Sequence, residues 1–241
     1  MNSTIETLLN HRSIRKFTEQ PISEDTLTTI LDCGIAASSS SFIQCTSVIR
    51  ITEPDARQQL AIFAGNQPYV ATAAEFLVFC IDFHRHQQIN PEAQLGYTEQ
   101  TLIGAVDTAL MAQNCLVAAE SLALGGVYIG GIRNNPAKVA ELLRLPDHVM
   151  PLFGLCLGYP AQNPEPKPRL PQSLVIHQEH YQAEFNHQAL AEYDDKVSNY
   201  YRTRTGGKKD TTWSQQITET LNKEARPFMQ RFIRNKGFST R

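Results

Sequence analysis

The five cysteines form no CxxC pair. Cys33, Cys45, Cys80, Cys115 and Cys156 are odd in number and far apart, which removes the zinc-site and dithiol-redox readings. Most lie in apolar runs such as FLVFCIDF and FGLCLG, so they are expected to be buried thiols behaving as small hydrophobes. No apolar run approaches the roughly 20 residues of a membrane helix. The opening MNSTIETLL lacks the basic start and apolar core of a secretory signal, so a soluble, cytoplasmic protein is the expectation. Hydrolase signatures are missing too: there is no G-x-S-x-G and no H-E-x-x-H. The pairs Gly125–Gly126 and Gly130–Gly131 have the wrong spacing for G-x-G-x-x-G. The first pair reads as the end of a helix and the second as the end of a strand. TGGKKD (205–210) lacks the leading glycine of a phosphate loop. His84 and His86 are read as surface histidines at a strand end, and Asp194–Asp195 as a solvated helix face.

What is present suits one large domain, or one domain with an extension: 241 residues, of which 41% are hydrophobic and 19% charged. Charge is uneven. Residues 1–195 hold 11 basic and 21 acidic side chains, whereas 196–241 hold 11 basic and 3 acidic, so a +8 tail follows a −10 body. Such asymmetry points to an acidic partner: nucleic acid, a phosphorylated ligand, or the acidic body of a second copy.

The hydrophobic pattern predicts helices over 3–10, 23–37, 54–65, 97–124, 136–145, 187–203, 212–224 and 227–236. Ser23 is the expected N-cap of the second, and Pro54 and Pro136 open two others. Strands are predicted at 47–52, 75–83, 127–131 and 151–160. The segment 97–124 is apolar around most of its circumference, which predicts burial, either centrally or between two subunits. The class is mixed α/β or α+β.

Two cationic clusters remain. HRSIRKF (11–17) gathers His11, Arg12, Ser13, Arg15 and Lys16 behind a short helix. KPR sets Lys167 and Arg169 among Pro166, Pro168 and Pro171, where the fixed φ of proline makes a stiff strut. If the two converge they make a phosphate-plus-ring pocket; otherwise they are two separate basic patches.

TIETLLNHRSIRKFT, ASSSSFIQCTSVIRIT, GNQPYVATAAEFLVFCIDF, LIGAVDTALMAQNCLVAAESLALGGVYIGGIRN, LFGLCLGYPAQNPEPKPRLP and the terminal TWSQ and EARPF together cover nearly the whole chain. As a set they resemble the nitroreductase superfamily, in its branch of oxygen-insensitive NADPH nitroreductases and NADPH–flavin oxidoreductases. The resemblance implies an α+β homodimer with a central mixed or antiparallel sheet flanked by helices and FMN at the subunit interface. It implies a core over 1–175 and a basic helical extension, 176–241, that embraces the partner.

It further implies FMN contacts from His11, Arg12, Ser13, Ile14, Arg15, Ser39, Gln67, Tyr69, Tyr128, Ile129, Gly130, Gly131, Lys167 and Arg169. His11 or Arg12, with Lys167 and Arg169, would take the phosphate, and Ser39, Gln67 and Tyr69 would approach from the other subunit. Arg15 is the implied catalytic residue, its guanidinium facing charge that develops on the flavin pyrimidine; the plainer reading is a structural ion pair. Arg204 is implied for the 2′-phosphate of NADPH, beside Arg202, Lys208 and Lys209, and Arg226 for the substrate pocket. Glu99 falls either near the active site or simply at a helix start. No metal is implied.

The implied reaction is ping-pong: hydride passes from NADPH to FMN, then two electrons pass to a nitroaromatic, quinone or free flavin. The alternatives are a non-enzymatic flavin carrier, a sister enzyme of dehalogenation or flavin fragmentation, and a nucleic-acid binder using the basic tail.

Overall fold

The computed structural model describes residues 2–241. In chain order the elements are α1 (Ser3–Leu9), α2 (Glu24–Ile35), β1 (Thr46–Arg50), α3 (Pro54–Phe63), α4 (Tyr69–Thr72), β2 (Glu75–Asp82), α5 (His84–Ile89), α6 (Thr98–Ser121), β3 (Gly125–Ile129), α7 (Pro136–Leu142), β4 (Val149–Gly158), α8 (His187–Thr205), α9 (Trp213–Leu221) and α10 (Met229–Asn235). The four strands form one sheet in the order β1-β2-β4-β3, and every pairing is antiparallel.

Alternation along β2 builds both faces of this sheet. Phe76, Val78 and Cys80 pack with Leu60 and Val139 of α3 and α7, while Leu77 and Phe79 pack with Ile30 of α2 and Ala112 and Leu116 of α6. Each side chain is fully buried, so β2 reads as a continuous apolar run. Its end residue Glu75 is buried as well, paired with Arg50 at 2.7 Å. Pro151 lies inside the inner strand β4, where a ladder donor is normally needed. The register slips there: Phe79 faces Phe153 and Cys80 faces Pro151, leaving Leu152 as the extra residue of a bulge.

Ser23 accepts a hydrogen bond from Thr26 N and caps α2, as its sequence predicts. α2 packs closely on α6 because Gly34 has no side chain; a Cβ there would lie 2.3 Å from Cys115 Sγ.

Several expectations need correction. By length and composition α6 is apolar enough to cross a membrane, although no run in the sequence looked long enough for that. Its Ala, Leu, Ile, Val, Met and Cys residues keep the mean hydropathy high, while Thr, Gly, Asp, Gln and Asn interrupt any solid apolar block. One face is buried through Gly104, Thr108, Ala112, Cys115 and Ala119, whereas Leu102, Val106 and Leu110 are exposed on another. Gly125 and Gly126 open β3 rather than closing a helix, and Gly130–Gly131 begin a 3-10 turn (130–134). Cys33 is exposed, while the other four thiols are buried. Burial pushes Cys80 and Cys115 up to about 12. His86 is half-buried on α5, its Nε2 2.7 Å from Ile43 O.

The chain forms two compact units, one of residues up to Asn163 together with Arg226–Arg241, the other Pro164–Ala225. The boundary therefore differs from 175/176, and the last sixteen residues belong to the core. Phe232 and Phe238 pack there with Phe83, Ile81 and Met150, and His148 N donates to Lys236 O at 2.9 Å. In the second unit Tyr193 of α8 meets Trp213 of α9 edge-on at 5.9 Å. Asp194 is not merely solvated: its carboxylate accepts from Ser214 N (3.0 Å) and Ser214 Oγ (2.5 Å) and ties the two helices together.

Candidate active site

In the first unit the segment 11–18 runs beside the sheet. Ile14 N donates to Gly126 O at 2.9 Å, Ala161 N to Lys16 O at 2.9 Å, and Thr18 N to Tyr159 O at 2.9 Å. Ile14 is buried, whereas Arg15 points outward. Among the described residues Arg15 has neither a hydrogen bond nor an ion pair, so the reading of it as a structural ion-pair partner has no support. The backbone is anchored on both sides of this free guanidinium.

His11 and Arg12 diverge. His11 Nδ1 is 2.7 Å from Glu120 Oε1 at the end of α6. The Arg12 guanidinium donates to Asn10 O (3.1 Å) and Asn163 Oδ1 (2.7 Å). Arg12, Ile14 and Glu120 line a cleft of about 810 Å³ bounded also by α1 and residues 160–163.

A second group of expected residues meets at the turn after β3. Gly131 packs against the 64–67 loop, where a Cβ would sit 2.2 Å from Ala64 O and 2.5 Å from Gln67 Nε2. Gln67 Nε2 donates to Ala64 O (2.6 Å), and Tyr69 OH donates to Gln67 Oε1 (2.5 Å). Arg226 reaches the same turn: its Nε and Nη2 donate to Asn134 Oδ1 at 3.0 and 2.8 Å, and Nη2 to Gly130 O at 3.4 Å. Burial, then the nearby Arg226 charge, lowers the pKa of Arg133. Tyr128 lies edge-on to Phe153 at 5.4 Å, and burial raises its phenol pKa well above the usual range. Ile129, beside it, is wholly buried.

Ser39 stands apart, in the loop before β1, and is held by a residue the sequence did not single out. Asp107 of α6 is buried, with 4% of its surface exposed. It accepts from Ser39 Oγ at 2.7 Å and from Ser40 N at 3.1 Å. Ser39 Oγ in turn accepts from Gln44 N at 2.7 Å. The loop needs this anchor, because Ser41, Phe42 and Gln44 all have positive φ. Burial and the neighbouring Asp107 charge push the Cys45 thiol up to about 12. Replacing Asp107 by alanine orphans Ser40 N and the Ser39 hydroxyl, and should cost about 3 kcal/mol in urea unfolding. Asn, which keeps an acceptor, should cost clearly less.

In the second unit Lys167 Nζ donates to Tyr201 OH at 2.7 Å, and Lys209 Nζ lies 4.4 Å from the centre of the same ring. Arg204 donates to Tyr200 OH at 2.7 Å from the last turn of α8, where a cation also suits the helix dipole. Arg169 is exposed, with no partner among the described residues. Glu99 lies exposed in the first turn of α6.

Asp107, Glu120 and Asn134 are the polar residues that sequence reading missed. The usable signal was an acid inside, or at the C-terminal end of, an otherwise apolar helix. Among the described residues no group of three metal-ligating side chains occurs.

The first unit is an antiparallel sheet walled by helices, with the exposed, unpaired Arg15 beside the sheet and Arg226 fixed on the glycine turn at 130–134. The chain belongs to the nitroreductase family: the model of that family matches residues 8–159, and that of the family's C-terminal domain matches 167–241. It is 55% identical over 241 residues to the NADPH-flavin oxidoreductase of Vibrio harveyi, with both chains covered in full. It is 54% identical, again over all of both chains, to the oxygen-insensitive NADPH nitroreductase of Salmonella typhimurium. The structure of the NADPH:FMN oxidoreductase from Vibrio harveyi complexed with NAD+ matches with a TM-score of 0.94, at 54% identity and full coverage of both chains.

Proposed function

We propose that the protein is an NADPH-dependent FMN oxidoreductase that passes electrons to nitroaromatics, quinones or free flavin by a ping-pong cycle. The observation that carries this reading is full-length similarity to NADPH–flavin and NADPH-nitro reductases; the unpaired Arg15 supports it. Bound FMN supplies the hydride-accepting and electron-donating chemistry, while the protein supplies position and field.

The residues present fit that group. His11, backed by a carboxylate, suits a phosphate; within the second unit Lys167 is held by Tyr201 OH and Arg169 is exposed. The glycine turn lets a planar ring approach backbone at Gly130, where an added Cβ would meet only Arg133 Nη2, at 3.5 Å. Ser13 and Arg15 would face the polar edge of the ring, where the Arg15 guanidinium would stabilise negative charge developing on reduction. Gln67 and Tyr69 hold each other rigid, and half-buried Tyr128 supplies ring surface beside the turn, whereas the side chain of Ile129 is committed to the core. Arg226, fixed on Asn134, borders the acceptor pocket. Arg12 contributes through its backbone, since its guanidinium is spent on Asn163.

Exposed apolar surface supports a homodimer. Leu102, Val106 and Leu110 recur every fourth residue along α6, and Ile5, Leu8 and Leu9 stand out on α1. In that dimer Ser39 would approach the partner's cofactor. A cytoplasmic location accords with the reduced thiols.

Arg204 takes the NADPH 2′-phosphate. Arg204→Ala should raise the Michaelis constant for NADPH at least about tenfold while leaving that for NADH nearly unchanged. Equal effects on both would remove this assignment. Double-reciprocal plots at several acceptor concentrations should be parallel; converging lines would rule out the ping-pong order.

A further inference from the structure

We propose that Glu120 is a positioning residue for the cofactor phosphate, acting through His11. The proposal rests on the reading that His11 faces the FMN phosphate and adds how that histidine is prepared for it. Glu120 occupies an awkward place. It lies in the last turn of α6, where the helix dipole is negative and disfavours another anion. Its side chain is only 12% exposed, and Oε2 is buried with no hydrogen-bond partner among the described residues.

A carboxylate set against both burial and helix dipole needs a cation, and the group that touches it is the His11 imidazole, at 2.7 Å. Arg12 lines the same cleft, yet its guanidinium goes to Asn10 and Asn163 instead. The carboxylate and the carbonyl end of α6 thus both act on His11. With the carboxylate ionised, Nδ1–H is the donor to Oε1, which fixes the ring's orientation and leaves Nε2 for an outside group. For Nε2 to donate to a phosphate oxygen the ring must carry both protons, and the carboxylate at Nδ1 is the neighbour that balances that charge. Glutamine would keep an acceptor for Nδ1–H but lose the negative charge beside the ring.

The test uses holoenzyme equilibrated against mixtures of FMN and riboflavin, which differ only by the phosphate. The exchange constant gives the preference for FMN, and release of flavin fluorescence on dilution gives the absolute affinity. In Glu120→Gln the preference should fall about tenfold to hundredfold, the usual weight of a charge-assisted hydrogen bond, with riboflavin affinity unchanged. The loss should vanish in a His11→Asn background, because both changes act on one contact.

An unchanged preference in Glu120→Gln, equal weakening of FMN and riboflavin, or additive losses in the double variant would each overturn the proposal and leave the assigned reaction standing. A wild-type protein that shows no preference for FMN over riboflavin would instead overturn the placement of His11 at the phosphate.

Discussion

Arg15→Leu should slow reduction of the bound flavin by NADPH about a hundredfold in anaerobic stopped-flow, with little change in the NADPH concentration giving half the maximal rate. Arg15 is exposed and unpaired, yet its backbone is stitched to Gly126 through Ile14 and to residue 161 through Lys16. The side chain therefore springs from a rigid base and pays little reorganisation when negative charge forms beside it. A preorganised donor aimed at developing charge is worth about 10²–10³ in rate. Arg15→Lys keeps the charge but loses the planar fork, so it should recover part of the rate. A leucine variant within about threefold of wild type would show that Arg15 binds or does nothing, and does not stabilise the reduced ring.

Gly131→Ala should lower the melting temperature by about 5 °C or more and release the flavin. The methyl group would need to lie 2.2 Å from Ala64 O, which is backbone, and 2.5 Å from Gln67 Nε2, which is itself bonded to that carbonyl. No rotamer relieves a clash with backbone, so the 64–67 loop and the 130–134 turn must part. Overpacking of this kind costs about 1–3 kcal/mol, and 1 kcal/mol is about 2–4 °C for a chain of this size. Gly130→Ala is the control: its Cβ has room, so its melting temperature should stay near wild type. Similar melting of both variants would contradict the close packing of the two segments.

The local signals were readable in the sequence. Ser23, Pro54 and Pro136 marked helix starts, and alternation and β-branching marked the strands, because these features depend on a few neighbouring residues. The strand order was not, since β4 enters between β2 and β3 through contacts distant in sequence. Gly125–Gly126 misled for a physical reason: glycine ends helices, but here it opens a strand where Ile14 and Leu116 press close. The final segment reads as more of a basic extension, yet Phe232 and Phe238 return it to the core. The cations at 11–15 were visible as a cluster, whereas Glu120 and Asp107, the acids that hold His11 and Ser39, were hidden in an apolar helix. Their roles rest on partners 109 and 68 residues away, which no local pattern encodes.

The most direct test is anaerobic titration of the purified protein with NADPH while its visible absorption is followed. The predicted result is a yellow protein carrying about one FMN per chain, bleached by a stoichiometric amount of NADPH and recoloured by a nitroarene. A protein that is colourless, fails to take up added FMN, or stays yellow under excess NADPH would contradict the account.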